Sequence, residues 1–524
     1  MENIKNNNVE KNIELIKKKL NEDIDFLKEE KEKIKKDEKF FTKKGFMLSD
    51  KACERMVKLT HYIENKIPVL LEGPTGTSKT RTTLIACDYL KYKNDNDEEE
   101  NDNLLRFNLS RETKIDDLLE KFIGDQNSPA GLKVEKGLFM KAYSEGYKLL
   151  LDEINLAKKD VLECIQQALD NKVLSFDCNG KGYVNIPMHP NFSIIATQNP
   201  NKGEFEGKRQ DLGIGFLSRF QKINFPDFDK NELIDITKKL AKNAFLGKNN
   251  NINDKLLEDI VNFHIDCKEN SLNDVQCFTI REIESVITAL SNGENCYETL
   301  ITVYASRYEK DKKKIIESYM SKYPNLRNLK KQKLEIPKNF PHCYINESLI
   351  ETSNAVLFSL KNKRNVIIVG KDESGLTTIA RWCAKCFIQN NNNNNKNLKE
   401  IICFCTSNLQ CSDMIGSIKP TVNNKLKNNE MLIFKQGFLY DAILNGNTVI
   451  FDSINEASST VCERLNGLLD KKNNEEEEYF EVPENSKESK IKIHSNFRII
   501  CTANIEKISS MSPAFINRFD VIVL

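Results

Sequence analysis

The sequence predicts an α/β protein built from two tandem modules, each a parallel sheet flanked by helices. The first observation is an internal repeat. Asp152-Glu153-Ile154-Asn155 returns 300 residues later as Asp452-Ser453-Ile454-Asn455, and Phe216-Leu217-Ser218-Arg219-Phe220 returns 299 residues later as Phe515-Ile516-Asn517-Arg518-Phe519. Chemically distinct motifs that keep their order and spacing mark duplicated units. The second observation is patterning. Short apolar runs at 68–71, 149–151 and 192–196, then at 366–369, 448–451 and 497–501, alternate with helical stretches, which is how a parallel sheet reads. The third is a glycine-containing loop between the first apolar run of each half and the helix that follows it.

Composition bounds the rest. A chain of 524 residues that is 39% hydrophobic and 30% charged can bury several cores, about three domains by length alone. Seventy-eight basic against 77 acidic residues leave a net charge of +1, so no global field draws the chain to nucleic acid or an anionic membrane, and no direct sequence-specific nucleic-acid binding is expected. The N-terminus lacks an apolar signal-like core, and no stretch approaches the roughly 20 apolar residues of a membrane span. The nucleus or cytoplasm is the expected location. Fifteen cysteines without a secretory signal read as reduced thiols. The pair Cys383/Cys386 has Cys-x-x-Cys spacing but stands alone in a helical stretch, so packing outweighs zinc there. The five isolated histidines read as packed or surface residues.

Residues 1–46 are rich in Lys, Glu and Asn, with Ile13, Ile16, Leu20, Ile24 and Leu27 on one helical face, and read as a solvated helical arm. The first α/β core is expected over 47–227 and the second over 341–524, joined by a Lys- and Pro-rich linker at 311–340. An acidic, Asn-rich stretch at 91–103 and a nearly pure Asn run at 390–397 read as low-complexity loops.

Gly73-Pro74-Thr75-Gly76-Thr77-Ser78-Lys79-Thr80 follows a strand and opens a helix, the context of a phosphate-binding P-loop. The glycines let successive backbone N–H groups face phosphate, and the helix adds its positive end. Lys79 then reaches the β- and γ-phosphates of ATP, and Thr80 offers its hydroxyl to Mg2+, which arrives with the nucleotide. Ser78 stands where such loops usually carry glycine, which crowds a backbone that must approach the phosphates closely. The apolar strand 149–151 ends in Asp152-Glu153. Asp152 is expected to hold Mg2+ through water and Glu153 to polarise the attacking water, because both sit at the sheet edge that receives the nucleotide. A later buried strand ends in Asn199, placed to hydrogen-bond the γ-phosphate or that water.

With these residues in place, the chain resembles the dynein-related AAA+ group, and its midasin-like branch in particular. Gly137-Leu138, then Ala142, Glu145 and Gly146, lead into Leu149-Leu150-Leu151-Asp152-Glu153-Ile154-Asn155-Leu156-Ala157, as in that group. Segments 172–176 and 183–186 look like the hairpin before the strand that carries Asn199, and Gly207-Lys208-Arg209 followed by Arg219 looks like the arginine-finger segment. The resemblance implies a helical lid over 228–310, in which Phe278-Thr279-Ile280-Arg281 makes Arg281 a candidate γ-phosphate contact. It implies ATP lying between neighbouring modules, so that Arg518 of the second module completes the site of the first and Arg219 faces a preceding module. It also implies a protein type with six modules on one chain that remodels pre-ribosomal particles of the large subunit. The second module ends at Leu524, so it is expected to be truncated before its lid, and the chain to be a fragment or a shortened relative.

In the second loop, Gly370-Lys371-Asp372-Glu373-Ser374-Gly375-Leu376-Thr377, Leu376 replaces the lysine. Asp372 and Glu373 add charge that repels phosphate, Lys371 comes too early to substitute, and Ser453 replaces the water-activating carboxylate. A folded, non-hydrolysing module is expected there. The leading expectation is an ATP-hydrolysing machine that acts on a protein or ribonucleoprotein complex, with further AAA modules as possible neighbours. The alternatives are an ATP-stabilised scaffold without turnover and a fragment of another dynein-like ring protein.

Overall fold

The computed structural model describes residues 27–93, 104–109, 111, 113–124, 132–178, 182–200, 211–246, 252–270, 278–308, 310–327, 329, 347–391, 398–420, 432–469, 479–482 and 490–524. Residues 1–26, the core of the acidic stretch at 94–103, the Asn run at 392–397 and the Gly207-Lys208-Arg209 segment lie outside them.

The first half contains β1 (Val69–Glu72), β2 (Leu104–Asn108), β3 (Glu120–Gly124), β4 (Leu132–Lys136), β5 (Lys148–Asp152), β6 (Val173–Cys178), β7 (Gly182–Pro187), β8 (Ser193–Gln198) and β9 (Gln221–Asn224). Five of them form one parallel sheet in the order β2-β5-β8-β1-β9. The second half repeats this with β10 (Val366–Gly370), β11 (Glu400–Phe404), β12 (Gly416–Pro420), β13 (Leu432–Gln436), β14 (Thr448–Asp452), β15 (Tyr479–Glu481), β16 (Lys490–Lys492), β17 (Arg498–Asn504) and β18 (Asp520–Val523). Its sheet order is β11-β14-β17-β10-β18. The continuous apolar runs Leu149–Leu151 and Val449–Phe451 are fully buried because helices cover both faces of a parallel sheet.

Small hairpins decorate each sheet. β6 pairs antiparallel with β7, as the 172–186 segment predicts, and β15 with β16 is its counterpart. The hairpins β3-β4 and β12-β13 were not legible in the sequence.

The lid follows β9 as the helices Lys230–Ala244, Asp254–Glu269 and Ile280–Ser291, then Cys296–Leu300, which runs into a π-helical turn at Ile301–Ala305. Each of the three long helices starts on a side-chain cap: Asp229 accepts from the Glu232 N–H, Asn253 from that of Lys255, and Thr279 from that of Arg281. Buried His264 meets the Tyr304 hydroxyl at 2.8 Å, and its burial pushes its pKa down to about 4, so it packs as a neutral ring.

Two expectations are corrected. The segment 27–46 is not a solvated arm. Ile34, Phe41 and Phe46 are buried with Val69 and Leu71 of β1, Phe41 packs on Tyr89 with ring centres 4.9 Å apart, and Arg81 donates to the Gly45 carbonyl at 2.7 Å. The first part of the linker is not a linker. Lys310–Met320 and Pro324–Arg327 are helices, and Ile316, Met320 and Leu326 join Phe263, Phe278 and Tyr304 in the lid core.

The lid rests on the second module. The Val523 N–H of β18 donates to the Ser306 carbonyl at 2.7 Å, Asn292 donates to Asn362 at 3.0 Å, and Lys361 pairs with Glu294 at 2.5 Å.

Candidate active site of the first module

β1, β5 and β8 run parallel in register, so the loop after β1, the acidic end of β5 and the polar end of β8 meet at one sheet edge. The loop from Gly73 to Ser78 then leads into the helix Lys79–Lys93. A Cβ at Gly73 would stand 2.0 Å from the Phe225 carbonyl oxygen, so only glycine fits. Gly76 has φ +83°, and a Cβ there would meet the Cβ of lid residue Thr279 at 2.7 Å, so the lid sits directly on the loop. Thr77 Oγ1 donates to the Pro74 carbonyl at 2.9 Å, while the buried hydroxyl of Thr75 has no hydrogen-bond partner among the described residues. Lys79 is buried and its Nζ donates to the carbonyls of Gly73 (2.6 Å) and Pro74 (2.7 Å) and to Asn199 Oδ1 (2.6 Å).

Asp152 is buried at the end of β5. It accepts from Thr197 Oγ1, from Thr80 Oγ1 at 3.2 and 3.3 Å, and from Arg106 Nη2 at 2.7 Å. Burial opposes its charge, but the guanidinium of Arg106, the Thr197 and Arg106 hydrogen bonds and the charge of Arg518 outweigh it and hold the carboxyl below the usual carboxylate range. Glu153 follows in the left-handed region, φ 58° and ψ 46°. Its N–H donates to Thr197 Oγ1 at 3.1 Å and its Oε1 accepts from Asn199 Nδ2 at 2.6 Å. Asn155 Nδ2 in turn holds the Asn199 carbonyl at 2.7 Å. A non-glycine residue in this conformation costs about 1–3 kcal/mol, and such strain gathers at functional sites because the surrounding bonds over-determine it.

One relay therefore runs from the loop cation through Asn199 to Glu153. Lys79, Thr80, Asp152, Glu153 and Asn199 meet at this sheet edge. Arg106, Thr197 and Asn155 were missed as site residues. The one signal for Arg106 is a lone charge inside the apolar strand Leu104–Asn108, and its role follows only from β2 lying beside β5.

The other expected residues fall into two groups. Arg219 is held on its own module by a fork to Asp170, Nε and Nη2 each at 2.5 Å, and by a bond to the Gly215 carbonyl, so its partners lie outside the loop and strand tips. The two residues at the module junction do meet the site's surroundings. Arg281 Nη1 donates to the Asn517 carbonyl of the second module at 3.2 Å, and the charge of the neighbouring Arg518 reaches Asp152.

The second module keeps the scaffold and loses the charges. Asp452 accepts from Thr377 at 2.8 Å and Thr502 at 2.6 Å, and Ser453 repeats the left-handed turn at φ 58° with its N–H on Thr502 Oγ1 at 2.8 Å. Leu376 Cδ2 lies against Gly370, 2.9 Å from where a Cβ would be, at the end of the loop where Lys79 Nζ binds Gly73 in the first module. The thiols of Cys383 and Cys386 are both pushed up by burial.

The sequence model of the AAA domain, dynein-related subfamily, matches residues 68–220 and 365–519, one stretch in each module. The chain belongs to the dynein-related AAA family. Midasin of Dictyostelium discoideum is 31% identical over 174 residues, which cover 33% of this chain and 3% of that protein. Midasin of Giardia intestinalis is 32% identical over 156 residues, 30% of this chain and 3% of that protein. Protein CbbQ of Hydrogenophilus thermoluteolus is 26% identical over 162 residues, 31% of this chain and 54% of that protein. The matched segments thus span a small part of the midasins' length. The two modules share one sheet order, and the chain is similar to the midasins over about a third of its length.

The residues present fit the nucleotide and metal that the AAA family implies. The loop has a cation at its centre and an orphaned buried hydroxyl at Thr75, and a carboxylate-hydroxyl pair, Asp152 and Thr80, offers the hard oxygen ligands that Mg2+ takes. No helix among the described residues is long and apolar enough to cross a membrane.

The site carries a second non-glycine residue in the left-handed region. Ser78 has φ +65°, whereas Gly375 occupies the equivalent position of the second loop at φ +89°. Ser78→Gly is expected to stabilise the protein by about 0.5–1 kcal/mol, because glycine adopts this conformation without the Cβ penalty. Denaturant unfolding of the two proteins measures the difference. An unchanged or lower midpoint would show that the loop does not strain Ser78.

Proposed function

We propose that the first module binds and hydrolyses ATP, that the second is a non-hydrolysing module which completes the first site, and that the pair drives remodelling of a protein or ribonucleoprotein complex. The observation that carries the reading is the relay Lys79–Asn199–Glu153 beside Asp152, against the loss of both lysine and glutamate in the second module.

Gly73, Pro74, Thr75, Gly76, Thr77 and Ser78 cradle the phosphates with backbone N–H groups, and Lys79 adds a positive charge. Thr80 and Asp152 would hold the magnesium, which would offset phosphate charge. Arg106 and Thr197 fix the Asp152 carboxylate in its charged form. Asn199 orients Glu153, which takes up the proton of the attacking water. Arg281 and Arg518 face this site from the lid and from the second module, and Arg518 neutralises charge that develops in the transition state. Arg219 plays that part for a preceding module.

Resemblance to the midasins supports a remodelling role on an assembly such as the pre-ribosomal large subunit, in the nucleus or cytoplasm. Steady-state ATPase measurement on the purified chain tests the enzymatic half. Release of phosphate above background supports it. ATP binding without turnover would instead support the scaffold.

A further inference from the structure

We infer that Arg281 is a positioning residue that anchors the finger turn of the second module, and so sets Arg518 against the first site. The inference rests on the proposed ATPase reading for its kinetic part and on geometry for the rest. Arg281 lies in the first turn of the lid helix Ile280–Ser291, and its Nη1 bonds the backbone carbonyl of Asn517, the residue before Arg518. Within the turn the Arg518 N–H donates to Phe515 at 3.1 Å and the Phe519 N–H to Ile516 at 3.0 Å, while Phe515, Ile516 and Phe519 pack into the core of the second module. The Asn517 side chain is buried, and neither its Oδ1 nor its Nδ2 has a hydrogen-bond partner among the described residues. The Asn517 side chain therefore adds no hydrogen bond to the turn, whereas its carbonyl accepts one across the module boundary from Arg281.

The base of Arg281 is itself fixed to the nucleotide loop. Thr279, which packs on Gly76, donates its N–H to Glu282 Oε2 at 2.5 Å, and Glu282 Oε1 accepts from buried Arg307 Nη2 at 2.6 Å. On the far side of the turn, Asp520 pairs with Arg364 of the second module, and the charge of Asp520 also acts on Arg307. Buried charges of alternating sign thus run from the loop of the first module to the start of β18, and Arg281 and Arg518 sit beside this line.

The test compares wild type with Arg281→Ala, Arg281→Lys, Arg518→Ala and the double variant Arg281→Ala/Arg518→Ala. Hydrogen exchange in the absence of nucleotide reads the anchor directly. In Arg281→Ala the amides of Arg518 and Phe519 are expected to exchange faster while those of β10 do not, and Arg281→Lys recovers part of the protection. In turnover, Arg281→Ala is expected to lower kcat about tenfold or more, from the loss of a charge-assisted hydrogen bond, with KM changed less than about twofold. The double variant is expected to be no slower than Arg518→Ala alone, because the two residues act through one contact. Unchanged exchange at Arg518 and Phe519 would overturn the anchor whatever the kinetics. A raised KM, with effects that multiply in the double variant, would make Arg281 a phosphate contact instead. If wild type shows no turnover, the ATPase reading fails and the exchange result alone decides the anchor.

Discussion

Arg518→Ala is expected to lower ATP turnover at the first module by about 10³-fold or more while ATP affinity changes little, the range for an arginine that meets charge only in the transition state. The residue belongs to a module that lacks its own lysine and glutamate, so its chemistry serves a neighbour. Its charge lowers the pKa of Asp152 across the module boundary, which places it within electrostatic reach of the first site. The boundary itself is held by the Arg281–Asn517, Val523–Ser306 and Lys361–Glu294 bonds. Arg219, occupied by Asp170 on the outer side, is the internal control: Arg219→Ala in a monomeric chain should leave turnover near wild type. Equal rates for wild type and folded Arg518→Ala would mean that the first site works without the second module.

The second large effect separates binding from chemistry. Glu153→Gln is expected to retain ATP and to lose about 10²-fold or more in kcat, because an amide cannot accept the proton of the attacking water. The variant keeps the fold of the site. Glutamine can still accept from Asn199 Nδ2 through its amide oxygen, and the left-handed backbone at Glu153 is set by its N–H bond to Thr197, which the substitution does not touch. Single-turnover kinetics alongside equilibrium binding gives both quantities. A wild-type rate no higher than that of Glu153→Gln would leave the scaffold as the function.

The parts of the site legible in the sequence are those that sit where a strand becomes a loop. Lys79, Thr80, Asp152, Glu153 and Asn199 each follow an apolar run, and the duplicated order fixes which strand tip belongs with which. Arg106 was not legible because its meaning depends on β2 being the neighbour of β5, a pairing that sequence separation conceals. The contact of Arg281 with Asn517 spans 236 residues and two modules, and nothing local announces it. The segment 27–46 misled for a compositional reason. Its lysines and glutamates outnumber the few large residues, Ile34, Phe41 and Phe46, that carry the packing. In the supposed linker, Lys-rich composition hid the apolar positions Ile316 and Met320, which face the lid core. In both cases a few buried side chains outweigh a polar majority, since each large apolar residue contributes about 1.5–3 kcal/mol on burial whereas solvated charges contribute little.

Of the two similar folds, one is proposed to bind nucleotide and the other not to. Equilibrium binding stoichiometry tests it most directly, by titrating the Glu153→Gln chain with ATP and magnesium and repeating the titration after adding Lys79→Ala. Lys79 supplies the loop's only buried cation among the described residues, whereas Leu376 fills the equivalent place in the second loop beside Asp372 and Glu373. One nucleotide per chain is expected before the lysine is removed and none detectable after. Two nucleotides per chain, or one that survives Lys79→Ala with unchanged affinity, would contradict it.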